Sequence, residues 1–389
     1  MKLALIGLPQ VGKKTVFSLL TGIPHDHLVA RAGDYHVGAA KVADPRVDRL
    51  SAIYRPKKTK PAEIECTLAP APPHESKPRE QWLNKLKDMD ALCHVVRAFE
   101  DPAVLHVDGS VDPLRDIDAM NLELTVSDLS LIETRLQRIA QDQKRKFEQE
   151  RAEEAGLLEK LKPHLEAGKS LREYPWHESE EKRVRSLQFL TLKGIVTALN
   201  CGESNFPNPT LVEAARAKLG VSAEGLAASR PASPGQRYGN EVCALGAKVE
   251  AEVAQIENPA ERVEFLQALG IEEPAIHVLT RLLYRALGYI SFFTVGEDEV
   301  RAWTIRQGET ALDAAHTIHT DLARGFIRAE VMKYPDIVAT AAALEGARSG
   351  ATPLSHQIET RLKESAKLLL KGKEYVVEDG DIVHIRHSG

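Results

Sequence analysis

An α/β fold built on a mostly parallel sheet is predicted by three features of the sequence. The first residues pass from an apolar run through a glycine-bounded loop into a helical pattern. Three later apolar runs follow, separated by long helical stretches, the arrangement of a parallel sheet with crossover helices. Beyond about residue 288 the texture changes to short β-rich runs around one helical segment, which reads as a separate small α+β domain.

KLALIG reads as a buried strand, Pro9 and Gly12 punctuate the turn after it, and KTVFSLLTG reads as the following helix. ALCHVVRAF (Ala91–Phe99), GIVTALN (Gly194–Asn200) and EVCALGAK (Glu241–Lys248) are the further core strands. Between the second and third strands, Leu129, Ile132, Leu136 and Ile139 recur at helical spacing. A charge-dense QDQKRKFEQERAEEA follows, then Leu157, Leu158, Leu161 and Leu165. Two helical arms forming a hairpin over residues 126–185 are expected. The alternative is an amphipathic pair on the main domain's surface, and the mixed-charge middle favours the hairpin. SAEGLAASRPASPGQRYG (Ser222–Gly239) is expected to be a mobile surface loop. ISFFTV, EVRAWTI, FIRAEVM, EYVV and DIVHIR are the β-rich runs of the last domain, and TALDAAHTIHTDLA is its helix.

With 389 residues, 43% hydrophobic and 28% charged, the chain has room for two or three domains of ordinary globular composition. It has no apolar run long enough for a transmembrane helix, and its N-terminus lacks the length and cleavage pattern of a signal peptide. Cys66, Cys93, Cys201 and Cys243 are far apart, which argues against a zinc site or a disulfide framework and fits a reducing cytoplasm. A net charge of −5 gives no global attraction to nucleic acid, so any RNA contact needs a local basic patch.

The chemistry concentrates in GLPQVGKKT, Gly7 to Thr15. A phosphate loop requires Gly, four residues, Gly, Lys and then Ser or Thr, between a strand and a helix. Gly7, Pro9, Gln10, Val11, Gly12 and Lys13 satisfy it, but Lys14 stands where the metal-binding hydroxyl belongs, with Thr15 after it. Backbone N–H groups at the helix start would wrap the phosphates and Lys13 would reach the outer ones. The other reading is a tight strand-to-helix turn with its lysines in solvent.

GLPQVGKKT, VADPRVDRL, DMDALCHVVRAFEDPAVLHVDGSVDP, LELTVSDLSLIETRLQR, FLQALGIEEP, EVRAWTI, AAHTIHTDLARGFIRAEV and GKEYVVEDGDIVH span nearly the whole chain. In that order they resemble the YchF/Obg-like ATPase family of P-loop GTPases. The resemblance implies a P-loop NTPase G domain in two parts (1–125 and 186–288), a coiled-coil insertion (126–185) and a C-terminal β-grasp TGS domain (289–389). It also implies an ATP or GTP ligand, and a ribosome or RNA partner reached through the hairpin and TGS domain.

Against that pattern the chain departs at three places. Lys14 replaces the family's Ser, whose hydroxyl holds Mg²⁺; lysine offers no acceptor. The family's DxAG motif falls in IECTLAPAPPHESKPREQW, where its Asp lands on Thr67 or Leu68 and its Gly on Pro70 or Ala71. The Thr of the first switch is missing near Ala30–Gly33. Mg²⁺ use is therefore doubtful and hydrolysis is expected to be weak or lost. A working ATPase or GTPase with unusual metal use, and a scaffold that binds no nucleotide, are the rivals.

Asn200-Cys201-Gly202-Glu203 resembles the family's NxxE base-reading motif, with Asn200 and Glu203 as the contacts, and Gly246–Lys248 falls where its last base-contacting loop lies. His106 matches the histidine that the family is thought to bring toward the γ-phosphate, so it is the candidate catalytic residue; packing is the alternative role. His319, Thr320, Asp321, Arg324, Phe326 and Arg328 read either as caps and sheet residues or as a partner-binding surface.

Overall fold

The computed structural model describes residues 2–31, 33–144, 148–221, 240–271, 273–345 and 354–388. The expected loop Ser222–Gly239 lies outside the described residues. The strands are β1 (Lys2–Ile6), β2 (His36–Lys41), β3 (Lys58–Lys60), β4 (Glu63–Leu68), β5 (Ala91–Ala98) and β6 (Gly194–Cys201). They continue with β7 (Asn240–Leu245), β8 (Tyr289–Thr294), β9 (Glu299–Arg306), β10 (Phe326–Lys333), β11 (Leu369–Lys371) and β12 (Asp381–His387). The chain divides into two compact units, Met1–Ala40 with Ile64–Leu287, and Lys41–Glu63 with Gly288–Gly389.

In the first unit a six-stranded sheet has the order β2-β4-β1-β5-β6-β7. The five strands from β4 to β7 are parallel neighbour to neighbour. Every residue of β5 and β6 is buried, which is why these runs are continuously apolar rather than alternating. The helix Lys13–Thr21 buries Val16, Phe17 and Leu20 and stops at Gly22 in a left-handed cap. A long helix, Pro113–Gln143, starts on the Asp112 side chain, which accepts from the Arg115 amide at 3.1 Å. Its first turns pack Ile117, Met120 and Leu124 against the sheet. Its later turns join the helix Gln149–Glu166 around Ile132, Ile139, Leu157, Leu158, Leu161 and Leu165. This helix runs unbroken through residue 126, so the sequence-based boundary there is not a break in structure. Ion pairs lace the two helices together, among them Arg135–Glu154 at 2.7 Å and Lys162–Glu133 at 2.8 Å. The buried Asp128 accepts from the amides of Leu190 and Thr191 at 2.9 and 2.7 Å and from the Thr191 hydroxyl at 2.7 Å.

The second unit has a mixed sheet, β11-β10-β12-β8-β9-β3. The helix Ala311–Ile318 packs on Phe292, Ile305, Ala329, Val331, Val383 and Ile385. Lys41–Glu63, assigned from the sequence to the G domain's first part, belongs here instead. Its β3 pairs in parallel with β9, and Arg46 binds the Asp379 carboxylate at 2.8 and 3.1 Å. EYVV is not a strand: Val376 makes an isolated bridge to Thr310, and the Tyr375 hydroxyl donates to Asp381 at 2.8 Å. Two helices, Tyr334–Glu345 and Leu354–Glu364, and the strand β11 were not anticipated. The helical segment after Thr310 is interrupted at His319, whose side chain accepts from the Asp321 amide and caps Thr320–Arg324.

Candidate functional site

Parallel strands aim their carboxyl ends at one edge of a sheet, and ligands of open α/β sheets bind in the crevice there. A cavity of about 1370 Å³ occupies that edge. Leu8 to Thr15 line it after β1, Leu68 to Ala71 after β4, Phe99 to Asp101 after β5, Asn200 to Glu203 after β6, and Ala247 and Lys248 after β7. The structure thus brings Pro9, Gln10, Val11, Gly12, Lys13, Lys14, Thr15, Asn200 and Glu203 to one cavity, with Gly7 buried beneath it.

The loop's glycines are required by geometry. Gly7 has φ +148° and a Cβ there would lie 2.3 Å from the Val95 carbonyl oxygen. Gly12 has φ +91°, and its Cβ would meet Asn200 Nδ2 at 2.2 Å. Lys13 is buried and donates to the Gly7 carbonyl and to the Leu8 carbonyl, the latter at 3.0 Å. Burial lowers its ammonium to about 7, with Lys14 adding repulsion. His94, on the neighbouring β5, is pushed down to about 3 by burial and by the Lys13 charge.

Asn200 proves to be a strap. It is 4% exposed; its Nδ2 donates to the Val11 carbonyl at 3.0 Å and its Oδ1 accepts from the Ala247 amide at 3.1 Å. The phosphate loop and the loop after β7 are thereby tied together. Glu203 is exposed at the cavity's rim.

His106 is placed elsewhere. Its side chain is 2% exposed and it does not line the cavity. Its Nδ1 accepts from the Asp108 amide at 3.1 Å, which leaves Nε2–H to donate to Asp116 Oδ2 at 2.9 Å. Arg115 also contacts Asp116 at 3.0 Å. His106, Asp108 and Asp116 are the one group of three potential metal ligands found among the described residues.

At the positions where the resemblance would place Mg²⁺ ligands, the donor set does not fit that ion: Lys14 brings an ammonium into the cavity, and Thr67 and Leu68 bring no carboxylate. The Pro70 carbonyl accepts from Trp82 Nε1 at 3.1 Å.

Several lining residues escaped sequence reasoning. Glu252, on the helix Ala247–Ala254, and Gln255, at its C-cap, follow the expected Lys248 by four and seven residues, a helical spacing that puts them on its face. Asp26 and Asp34 line the cavity from the stretch after the first helix, where only a missing Thr had been sought. The buried Arg97 shapes the loop after β5, donating to the carbonyls of Phe99 at 3.0 Å and Val104 at 2.9 Å. Away from the cavity, Arg324 is 81% exposed, and Arg328 pairs with Glu330 at 3.7 Å. No helix among the described residues is long and apolar enough to cross a membrane.

Residues 289–388 match the family model YchF-GTPase_C, described as a protein of unknown function (DUF933). A Bacillus subtilis (strain 168) protein named ribosome-binding ATPase YchF is 37% identical over 390 residues, covering 99% of this chain and 98% of its own. Obg-like ATPase 1 of Oryza sativa subsp. japonica is 30% identical, covering 100% of this chain and 92% of its own. The solved Schizosaccharomyces pombe YchF GTPase superposes with a TM-score of 0.78 at 28% identity, covering 99% of this chain and 97% of that one.

Proposed function

The chain belongs to the YchF/Obg-like ATPase family, and from that premise we propose that it binds a purine nucleoside triphosphate in the cavity around Gly7–Thr15 and hydrolyses it weakly or not at all. The observation that carries this is the loop itself. Gly7 and Gly12 hold positive φ angles in a strand-to-helix turn, Lys13 lies over the loop carbonyls, and Asn200 ties the loop to Ala247. The expected roles are phosphate contact from Gly7–Thr15 and base contact near Glu203 and Ala247–Lys248. Weak hydrolysis follows from Lys14 and from the Thr67–Ala71 wall, which supply none of the metal ligands that the resemblance implies.

The test is thermal unfolding with and without ATP or GTP. A ligand at 100 times its Kd adds about 2.7 kcal/mol to folded-state stability, a rise of several degrees for a unit of this size. An unchanged unfolding temperature at saturating concentrations of both nucleotides would refute the proposal and leave a scaffold.

A second reading is a working hydrolase with its metal held elsewhere. The carboxylates of Asp26, Asp34, Glu100 and Asp101 at the cavity favour it. Sustained phosphate release that Asp34→Asn abolishes would establish it.

The relatives' names motivate the partner. We propose cytoplasmic ribosome association, with residues 289–389 as the TGS domain and 126–185 as the coiled-coil hairpin. Co-sedimentation with ribosomes that weakens as salt rises is the expected result; a chain that stays in the supernatant at low salt would refute it.

A further inference from the structure

We propose that the Lys14 side chain takes the place of the divalent cation, so that this chain binds its nucleoside triphosphate free of metal. The inference rests on the nucleotide-binding reading above and specifies the ionic form of that ligand.

Lys14 is the second residue of the helix that opens at Lys13, and it lines the cavity between Lys13 and Thr15. In a phosphate loop, the side chain at this step bonds the cation that bridges the outer phosphates. An ammonium there has three donors and no acceptor, so it can bond phosphate oxygens directly but cannot ligate a metal. It also repels a doubly charged ion from the same space. The charge the phosphates require thus comes from the protein.

The facing wall agrees. At the end of β4, Thr67 is 6% exposed and Leu68 is 3% exposed, and neither carries a charge. Pro70, which lines the cavity, has no N–H, and its carbonyl is taken by Trp82. Lys13, which donates to the Gly7 and Leu8 carbonyls in the ligand-free protein, holds the loop pattern's own lysine position, so Lys14 is a second lysine at the same phosphates rather than a substitute for the first. The cavity's carboxylates come from separate segments: Asp26, Asp34, Glu100, Asp101, Glu203 and Glu252. Among the described residues no three of them, with any His or Cys, bring ligand atoms within 4.8 Å of one another; the one such group, His106–Asp108–Asp116, does not line the cavity.

The test is titration calorimetry of ATP and of GTP into the full chain, once in millimolar Mg²⁺ and once in EDTA, for the natural protein, Lys14→Ser and Lys14→Ala. The natural protein is expected to bind in EDTA within about threefold of its affinity in Mg²⁺, or more tightly. Lys14→Ser is expected to lose about tenfold or more in EDTA and to recover in Mg²⁺. Lys14→Ala is expected to lose affinity in both, and circular dichroism melting checks that each variant folds. Binding by the natural protein that weakens about tenfold or more in EDTA would overturn this inference while sustaining the nucleotide-binding reading. A Lys14→Ser variant whose Mg²⁺-to-EDTA affinity ratio equals that of the natural protein would overturn it too. No binding by the natural protein in either buffer would overturn both.

Discussion

Nucleotide binding should take up a proton at Lys13. In the ligand-free protein, burial holds this lysine at about 7, and its Nζ is occupied by two loop carbonyls. A phosphate placed against it stabilises the charged form and returns it toward the ordinary value of about 10.4. At pH 8 roughly nine in ten ligand-free molecules carry a neutral Lys13, so binding there should take up about 0.9 proton. Affinity should fall as pH rises, because only the protonated form meets the phosphates fully. Half of the molecules are protonated at pH 7 and about 1% at pH 9, a loss of about fiftyfold or about 2.3 kcal/mol. Phosphate monoesters have their last ionisation near pH 6, so the ligand's own charge changes little over this range. The assay is titration calorimetry at pH 8 in two buffers of different ionisation enthalpy, whose difference in apparent heat counts the protons. The same group makes a statement about stability. Its folded pKa is depressed, so the unfolded chain holds more protons between about 7 and 10.5 and the ligand-free protein should gain stability as pH rises through that window. Zero proton uptake with an affinity flat from pH 7 to 9 would refute the reasoning.

Asn200→Ala should destabilise the first unit by about 2–4 kcal/mol in denaturant unfolding, because the Val11 carbonyl and the Ala247 amide both lose a buried partner. Gly12→Ala should abolish nucleotide-dependent thermal stabilisation, since its Cβ must displace Asn200 and occupy a positive φ. Asp128 is raised to about 6, chiefly by burial, against the opposing hydrogen bonds from Thr191 and Leu190. Its folded pKa exceeds its unfolded one, so stability should decline by about 2 kcal/mol as pH rises from 4 to above 6, a slope that Asp128→Asn should remove. Arg46→Ala should lower the stability of the second unit by about 1–2 kcal/mol, the range for a partly exposed charged pair, read as a lower unfolding midpoint.

Local pattern made part of this protein legible. β1, β5 and β6 were readable because buried parallel strands need continuous apolar runs, and the glycines of the phosphate loop because no other residue fits their backbone angles and contacts. β2 was missed for the opposite reason. HVGAAK is a half-exposed edge strand with little β-branching to mark it. β3, three exposed residues, exists only through its pairing with β9. The transfer of Lys41–Glu63 to the second unit depends on Arg46 meeting Asp379, 333 residues away in the chain, which no local pattern encodes. Asn200 was flagged for a base-reading motif, whereas its role as a strap appears only when Val11 and Ala247 come together.

The same contrast bears on why the phosphate loop survives here in altered form. Gly7, Gly12, Lys13 and Asn200 are each tied into the fold, by a backbone angle, a close approach or a buried hydrogen bond. Losing any of them would weaken the folded state whether or not a nucleotide ever binds. Lys14 stands where the phosphate-loop pattern takes a Ser or Thr that answers to the ligand rather than to the core, and this is the position that departs from the pattern. Preservation of the first group is therefore what both a binder and a bare structural turn would display. The discriminating property is the charge on Lys13. A lysine retained only to satisfy the Gly7 and Leu8 carbonyls has no reason to regain its proton when ATP is added. One that serves phosphate must do so, and proton uptake on ATP addition separates a working site from a relic.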